Sequence, residues 1–166
     1  MKLVFSANIL PLSWLIRLWC MSSVSHVQFE FSDGAQIFPS VEVGRTILTK
    51  NKNYTWEYPI DLKNNTQKIY VDLNLSDREE SIIRNWAESQ IGKPYDFTAL
   101  APLNVLIPRK KKYWKDDSSW MCSEFCAYGL ELVGTKLFDD DTKKIKPSDL
   151  YRELKKKTEL QPGVIK

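Results

Sequence analysis

The chain has 166 residues, a hydrophobic share of 43% and a formal net charge of +3. This length fits one compact domain, and we expect a single domain over residues 1–166. The apolar share argues against a disordered chain, and so small a charge does not by itself indicate nucleic-acid binding. The three cysteines form no Cys-x-x-Cys unit, which argues against a zinc ribbon and a disulfide framework and favours a reducing compartment.

The first residues, Met1–Phe5, open like a secretion signal. Pro11 and Arg17 are among the residues that interrupt the apolar stretch that follows, and the bulky Trp19 stands where signal cleavage needs a small residue. No apolar run approaches the roughly 20 residues of a membrane span. We therefore expect a soluble protein without a signal peptide or transmembrane segment.

Periodicity and turn residues predict the elements in chain order. They are a helix opened by Pro11, a strand over 25–31, a turn at Asp33 and Gly34, a returning strand over 35–38, strands near 54–58 and over 69–73, a helix capped by Ser76 and ended near Gly92, a helical stretch from Asp96 through Leu100, a helix over 122–133 closed by Gly134, and a last helix from a Ser148 cap to Lys157. This order predicts an α+β chain.

Cys122 lies in the first turn of a predicted helix. A helix N-terminus presents unpaired N–H groups and a partial positive charge, which favour a thiolate and can hold an oxyanion. A buried, unreactive cysteine is the alternative at this position. Cys126 lies on the apolar face of the same helix and Cys20 ends an earlier apolar face, so both are predicted to be structural.

His26 is the only histidine in the chain. A cysteine hydrolase needs a base that takes the proton from sulfur and later returns it to the leaving group. His26 is therefore the candidate partner of Cys122, and a purely structural histidine in a strand is the alternative. A single histidine also argues against a metal site that needs several, and no cofactor is expected.

Four short motifs resemble, in their order, the circularly permuted NlpC-type branch of the papain-like cysteine hydrolases, to which lecithin–retinol acyltransferases are related. They are Ser-His-Val at 25–27, Gly-Lys-Pro-Tyr-Asp at 92–96, Trp-Met-Cys-Ser-Glu-Phe at 120–125 and Lys-Pro-Ser-Asp-Leu at 146–150. The segment at 14–17 also resembles versions carried by tailed bacteriophages. The resemblance extends over most of the chain and leaves out the region from about 51 to 74.

The resemblance implies a papain-like fold, with a short antiparallel sheet packed against the Cys122 helix. It implies hydrolysis of an amide or ester, with a cell-wall peptide amide favoured, through a Cys122 thiolate, His26 as acid and base, and a covalent acyl-enzyme. The implied location is the cytoplasm of a host cell or a phage particle, and the implied partner is a peptide, amide or acyl-ester substrate.

The resemblance further implies a third polar residue that orients the imidazole. Its position in many relatives is occupied here by Phe38, which accepts no hydrogen bond. The role is left to Ser40, to Gln28, to a backbone carbonyl or to no group, and Ser40 is our prediction. Because the imidazole would then be poorly held, we expect a slow enzyme.

Tyr95 and Asp96 match the Tyr-Asp pair of the family, and the resemblance suggests that they line the substrate site. A helix cap is the alternative for Asp96, and Tyr95 has a structural alternative too. Glu124 suits the dipole of the Cys122 helix and needs no catalytic role.

Three other functions stay open. One is a lipid-directed thioesterase or acyltransferase, with the apolar run Leu100–Ile107 as its acyl groove. Another is a catalytically weak binding module that kept the fold, which Phe38 favours. The third is a weak contact with anionic lipid or nucleic acid through the basic, aromatic loop Arg109–Lys115, for which a solvated loop is the alternative.

Overall fold

The computed structural model describes residues 1–7, 11–41, 43–49, 67–96, 118–139 and 145–160. These ranges contain five strands and four helices: β1 (Lys2–Ala7), α1 (Pro11–Cys20), β2 (His26–Glu30), β3 (Gln36–Ser40), β4 (Arg45–Thr49), β5 (Gln67–Asp72), α2 (Asp77–Ser89), α3 (Cys122–Glu131) and α4 (Pro147–Leu160). The predicted α+β class is confirmed.

Several predicted features lie outside the described residues. They are the strand near 54–58, the helical stretch that follows Asp96, the apolar run Leu100–Ile107, the basic loop Arg109–Lys115 and the side chain of Cys20. Among the helices that the structure does describe, none is both long enough and apolar enough to cross a membrane.

The strands form one antiparallel sheet in the order β4-β3-β2-β1-β5. β1 therefore lies inside the sheet, where Leu3 pairs with Phe29 on one side and with Val71 on the other. The residues that open like a secretion signal lie largely in this strand. Because Leu3, Val4 and Phe5 are all buried, this strand lacks the period-two alternation that would have revealed it.

The main core lies between the sheet and the helices. Phe29 of β2 contacts Phe125 of α3 at 5.8 Å between ring centroids, and Phe5 of β1 contacts Tyr151 of α4 at 5.3 Å. Gly129 lets α3 approach closely, because a Cβ there would come within 2.8 Å of the Phe29 ring. The residues that face the helices alternate with the others along each strand, so one face of the sheet carries this core.

The predicted helix ends are confirmed for α2 and α3. Ser76 and Glu79 form the expected capping box, and Gly134 follows α3 with a φ of 82°. The Ser148 cap is wrong by two positions, since α4 begins at Pro147 and its cap residue is therefore Lys146. Proline suits that place because a first-turn N–H has no partner within the helix, and a carboxylate oxygen of Asp149 accepts from the Lys146 N–H at 3.3 Å.

Candidate active site

The first turn of α3 is held against the segment that carries Tyr95. Tyr95 and Trp120 form a parallel bridge, in which the Trp120 N–H donates to the Pro94 carbonyl at 3.1 Å and the Asp96 N–H donates to the Trp120 carbonyl at 2.9 Å. Met121 is extended at the N-cap and supplies no side-chain cap. Two of the four sequence motifs thus meet at the point where α3 begins, with Cys122 as its first residue.

Cys122 and Tyr95 are in direct contact and are buried, with exposures of 2% and 4%. The Tyr95 hydroxyl hydrogen-bonds the sulfur of Cys122. Burial, followed by the negative charges of Cys122 and Glu124, raises the pKa of Tyr95 well above 10. The phenol therefore stays protonated and donates to the sulfur, which stabilises a thiolate.

Two carboxyl groups are buried beside this pair. Asp96 and Glu124 are only 4% and 3% exposed, and both contribute to the raised pKa of Tyr95. Glu124 lies in the first turn of α3, as its match to the helix dipole predicted, but its burial was not foreseen. The start of α3 therefore gathers ionisable groups inside a core that is otherwise mostly apolar.

Cys126 has the structural role that was predicted for it. It is fully buried, and burial together with the charge of Cys122 raises the pKa of its thiol well above 9. A thiol held in this form is a poor nucleophile.

His26 is the first residue of β2, and its contacts are with residues of the sheet. Its ring meets the Phe38 ring edge-on, with 5.1 Å between centroids, and the side chain of Gln28 leaves β2 on the same face. Burial lowers the pKa of His26 from 6.5 to about 4, and the Gln28 contact opposes this shift in part. Nε2 is buried and has no hydrogen-bond partner among the described residues.

Cys122 and His26 lie toward the same end of the sheet. The Tyr95 N–H donates to the Gly44 carbonyl at 2.8 Å, and the Gly44 N–H donates to the Ser40 carbonyl at 2.9 Å. β2 and β3 are antiparallel, and β2 begins at His26 where β3 ends at Ser40, so these two residues lie at the same end of the pair. These contacts connect Tyr95, which touches Cys122, with the end of the sheet where β2 begins at His26.

Nevertheless, Nε2 of His26 makes no hydrogen bond to Cys122. Val27 and Phe29 belong to the core that packs on α3, and His26 alternates with them along β2. Its side chain therefore leaves the strand on the face away from α3. The structure places Cys122 against Tyr95 and His26 against Phe38, so a dyad of Cys122 and His26 stays a prediction.

Ser40, the predicted orienting residue, is buried at the end of β3. Its hydroxyl accepts from the Val43 N–H at 3.3 Å, which ties it to the following turn. Gln28 leaves β2 on the same face as His26, so both Ser40 and Gln28 stay candidates for orienting the imidazole.

Ser123 belongs to the same turn as Cys122 and was not singled out from the sequence. Its buried hydroxyl donates to the Ile145 carbonyl at 2.6 Å. This bond connects the start of α3 to the residue just before the Lys146–Leu150 motif, so that motif is also close to Cys122. The position of Ser123 directly after the candidate nucleophile is the sequence feature that could have indicated its role.

In the part of the chain that the structure describes, no three His, Cys, Asp or Glu side chains cluster as metal ligands.

Comparisons with known proteins support the fold. Neither the protein-family models nor the curated proteins give a match to this sequence. Among solved structures, the chain is similar to the crystal structure of the metalloprotein yiiX (DUF1105) from Escherichia coli O157:H7, with a TM-score of 0.58 and 20% sequence identity. The similarity covers 82% of this chain and 67% of yiiX, and at that identity it shows a shared fold alone.

Proposed function

We propose that this chain is a papain-like cysteine hydrolase that cleaves an amide or ester through Cys122, with His26 as acid and base. The observation that carries the proposal is the place of Cys122: the first residue of a helix, beside a protonated tyrosine hydroxyl. Both features stabilise a thiolate, which is the reactive form of cysteine.

The proposed reaction has two halves. The Cys122 thiolate attacks the substrate carbonyl, and N–H groups of the first turn of α3 donate hydrogen bonds to the oxyanion of the tetrahedral intermediate. The imidazolium of His26, having taken the thiol proton, gives it to the leaving amine or alcohol, which departs and leaves an acyl-enzyme. Water then attacks the thioester with neutral His26 as base, which releases the acid and the free thiol.

This chemistry requires a contact that the resting arrangement lacks, because His26 leaves β2 on the face away from α3. In the proposal, the thiol and the imidazole meet through a rearrangement at the start of β2 when substrate binds. Catalytic hydrogen bonds are often incomplete before substrate is present.

The same observation favours a second candidate function. A protein that keeps Cys122 buried and turns His26 toward Phe38 could retain the fold as a binding module with weak or no catalysis. The two candidates differ in whether an acyl-enzyme forms and whether its formation depends on His26.

The deciding experiment follows acylation of the full chain by a p-nitrophenyl ester and by a panel of peptide amides. We expect an acyl group on Cys122 by mass spectrometry, none in Cys122→Ala, and normal acylation in Cys126→Ala, the matched control. In His26→Ala the rate falls by about 10²-fold or more, the usual contribution of a positioned acid–base group. Acylation that persists in Cys122→Ala contradicts the proposal, and the absence of turnover in a folded wild type supports the binding module.

A further inference from the structure

Helix α1 carries large apolar side chains on its solvent-exposed side. Its opposite side is anchored to the protein, since Ser13 and Ile16 are buried and the Ser13 hydroxyl forms a 2.6 Å hydrogen bond with that of Ser25, just before β2. Trp14 and Leu18, in contrast, are 58% and 62% exposed. Residues four apart are neighbours on a helix surface, so these two side chains form one apolar surface in solvent.

The end of α1 adds a third exposed apolar side chain. The Met21 N–H donates to the Leu18 carbonyl and the Ser22 N–H donates to the Arg17 carbonyl, which is the Schellman pattern of helix ends. The left-handed position of this pattern usually holds glycine, but here it holds Met21, with a φ of 47° and an exposure of 92%. Because a residue with a Cβ is strained at such a φ, the fold gives no reason for a methionine there.

Trp14, Leu18 and Met21, which we call the α1 stripe, are bordered by a positive charge. Arg17 is the only charged residue of α1. None of the ion pairs among the described residues includes Arg17, and its Nε is buried without a hydrogen-bond partner in that part of the chain. The surface of α1 thus combines apolar side chains with a cation that no described residue neutralises.

We propose that α1 binds the surface of an anionic lipid bilayer, with the α1 stripe inserted and Arg17 at the lipid phosphates. Tryptophan is favoured at the headgroup level, and arginine binds phosphate well. A helix of 10 residues is about 15 Å long, half the thickness of the hydrocarbon core, so it lies in the plane of the membrane and does not cross it.

A second copy of the chain fits this surface less well. Three side chains fall far short of the roughly 800 Å² per partner that a stable protein interface buries. A symmetric contact through α1 would also bring the two Arg17 charges together, whereas anionic lipid neutralises them. The inference concerns binding alone and does not depend on the proposed hydrolysis.

The test is cosedimentation of the full chain with sucrose-loaded vesicles, made of phosphatidylcholine alone or of an equal mixture of phosphatidylcholine and phosphatidylglycerol. We expect the protein to bind the mixed vesicles, and to bind less to phosphatidylcholine alone or in high salt, which screens the attraction of Arg17 to the lipid. A folded wild type that stays in the supernatant with both kinds of vesicle overturns the proposal.

Variants assign the binding to α1. Trp14→Gln combined with Leu18→Gln should weaken binding to mixed vesicles by at least about tenfold, because two inserted apolar side chains are lost. The matched control combines Ile82→Gln with Ile91→Gln, which removes two exposed apolar side chains from α2 and the turn after it and should leave binding unchanged. Unchanged binding in the α1 double variant would place the lipid contact on another surface and refute the proposal.

Two single variants refine the assignment. Arg17→Gln should weaken binding to mixed vesicles about fivefold and leave binding to phosphatidylcholine unchanged. Met21→Gly removes the strained φ, so it should unfold at the same temperature as wild type or higher while binding vesicles several-fold more weakly. Weaker binding in this variant therefore cannot come from a damaged fold.

Sedimentation equilibrium covers the remaining alternative. A wild type that self-associates without binding vesicles, and that becomes monomeric in the Trp14→Gln and Leu18→Gln double variant, would make the α1 stripe a contact between copies and refute the lipid surface. Vesicle binding without formation of an acyl-enzyme keeps this inference and loses the hydrolase, and an active enzyme that ignores vesicles does the reverse.

Discussion

Both halves of α3 contribute buried residues, but these residues are surrounded by different chemistry. Around its first turn, Cys122 and Glu124 meet Tyr95 and Asp96, and all four are ionisable. In its second half, Gly129 lies against the rings of Phe29 and Trp86, whose contacts are apolar. Burial alone therefore does not separate core from candidate site in this protein.

The two ends differ in the free-energy cost of burying their side chains. At the apolar end, close packing stabilises the fold with no polar group to satisfy. At the polar end, each buried ionisable group is stable only through its partners or by staying neutral, which shifts its pKa. Tyr95 and Cys126 have raised pKa values at this end, and buried groups with shifted pKa values are typical of functional sites. Four predictions test this contrast, in order of decreasing effect.

The largest effect concerns His26 and acid. Its pKa is about 4 in the native state and 6.5 in the unfolded chain. Between those values only the unfolded chain binds the proton, so the free energy of unfolding falls as the pH is lowered from 6.5 to about 4, by about 3 kcal/mol in all. Above pH 6.5 the residue contributes no pH dependence.

The measurement is urea unfolding of wild type and His26→Gln at several pH values. The variant lacks the titrating group, so the difference between the two proteins isolates it from the carboxylates, which also titrate at low pH. Equal slopes for both proteins between pH 6.5 and 4 would show that the imidazole is not kept neutral by the fold.

The second prediction concerns the apolar end of α3. Gly129→Ala places a Cβ 2.8 Å from the Phe29 ring and 3.1 Å from Trp86, so the packing must yield. We expect a loss of about 2 kcal/mol in the free energy of unfolding, typical of an overpacked core. Because alanine favours helices more than glycine does, an increase in stability would mean that α3 and the sheet are less closely packed than described.

The third prediction concerns the bond between Ser123 and Ile145. Ser123→Ala leaves the Ile145 carbonyl without its 2.6 Å donor in a buried place. A loss of about 1–2 kcal/mol is expected from thermal or urea unfolding. Ser81→Ala is the control, since the hydroxyl of Ser81 is exposed and bonds only the backbone of its own helix. If the two variants lost similar amounts of stability, the Ser123 bond would matter no more to the fold than the exposed bond of Ser81.

The smallest effect is kinetic and concerns Tyr95. Tyr95→Phe removes the hydroxyl that donates to Cys122, so the thiolate is less stabilised and the thiol pKa rises. We expect iodoacetamide alkylation of Cys122 at neutral pH to slow by several-fold, measured in a Cys126→Ala background. Tyr151→Phe, on α4 against Phe5, should leave the rate unchanged. Faster alkylation in Tyr95→Phe would mean that the hydroxyl shields the sulfur more than it activates it.

The sequence predicted the elements whose signals are local. The capping box at Ser76 and the Asp33–Gly34 turn each depend on a few adjacent residues, and both are present. β1 and β4 were missed for a physical reason. In β4, Thr46 and Thr49 are buried while Ile47 and Leu48 are only partly buried, which inverts the usual relation between polarity and exposure.

In the candidate site, too, features with a local sequence signal could be predicted and features set by distant contacts could not. The helix start at Cys122 and the core place of Cys126 could be predicted, since both follow from spacing along one helix. The face of β2 on which His26 lies and the hydrogen bond from Ser123 to Ile145 could not be predicted. They depend on strand register and on contacts between distant segments, which no local pattern specifies.

The position of β1 also sets an order for folding during synthesis. Val4 pairs with Gln28 on one side and with Tyr70 on the other. The β2 side of β1 is synthesised early, whereas the β5 side of β1 stays an open edge until the ribosome has added the chain through about residue 72. Until then a buried, apolar strand offers unpaired backbone groups to other chains. Nascent chains halted before β5 should therefore associate with one another or with chaperones, and chains released after β5 should not.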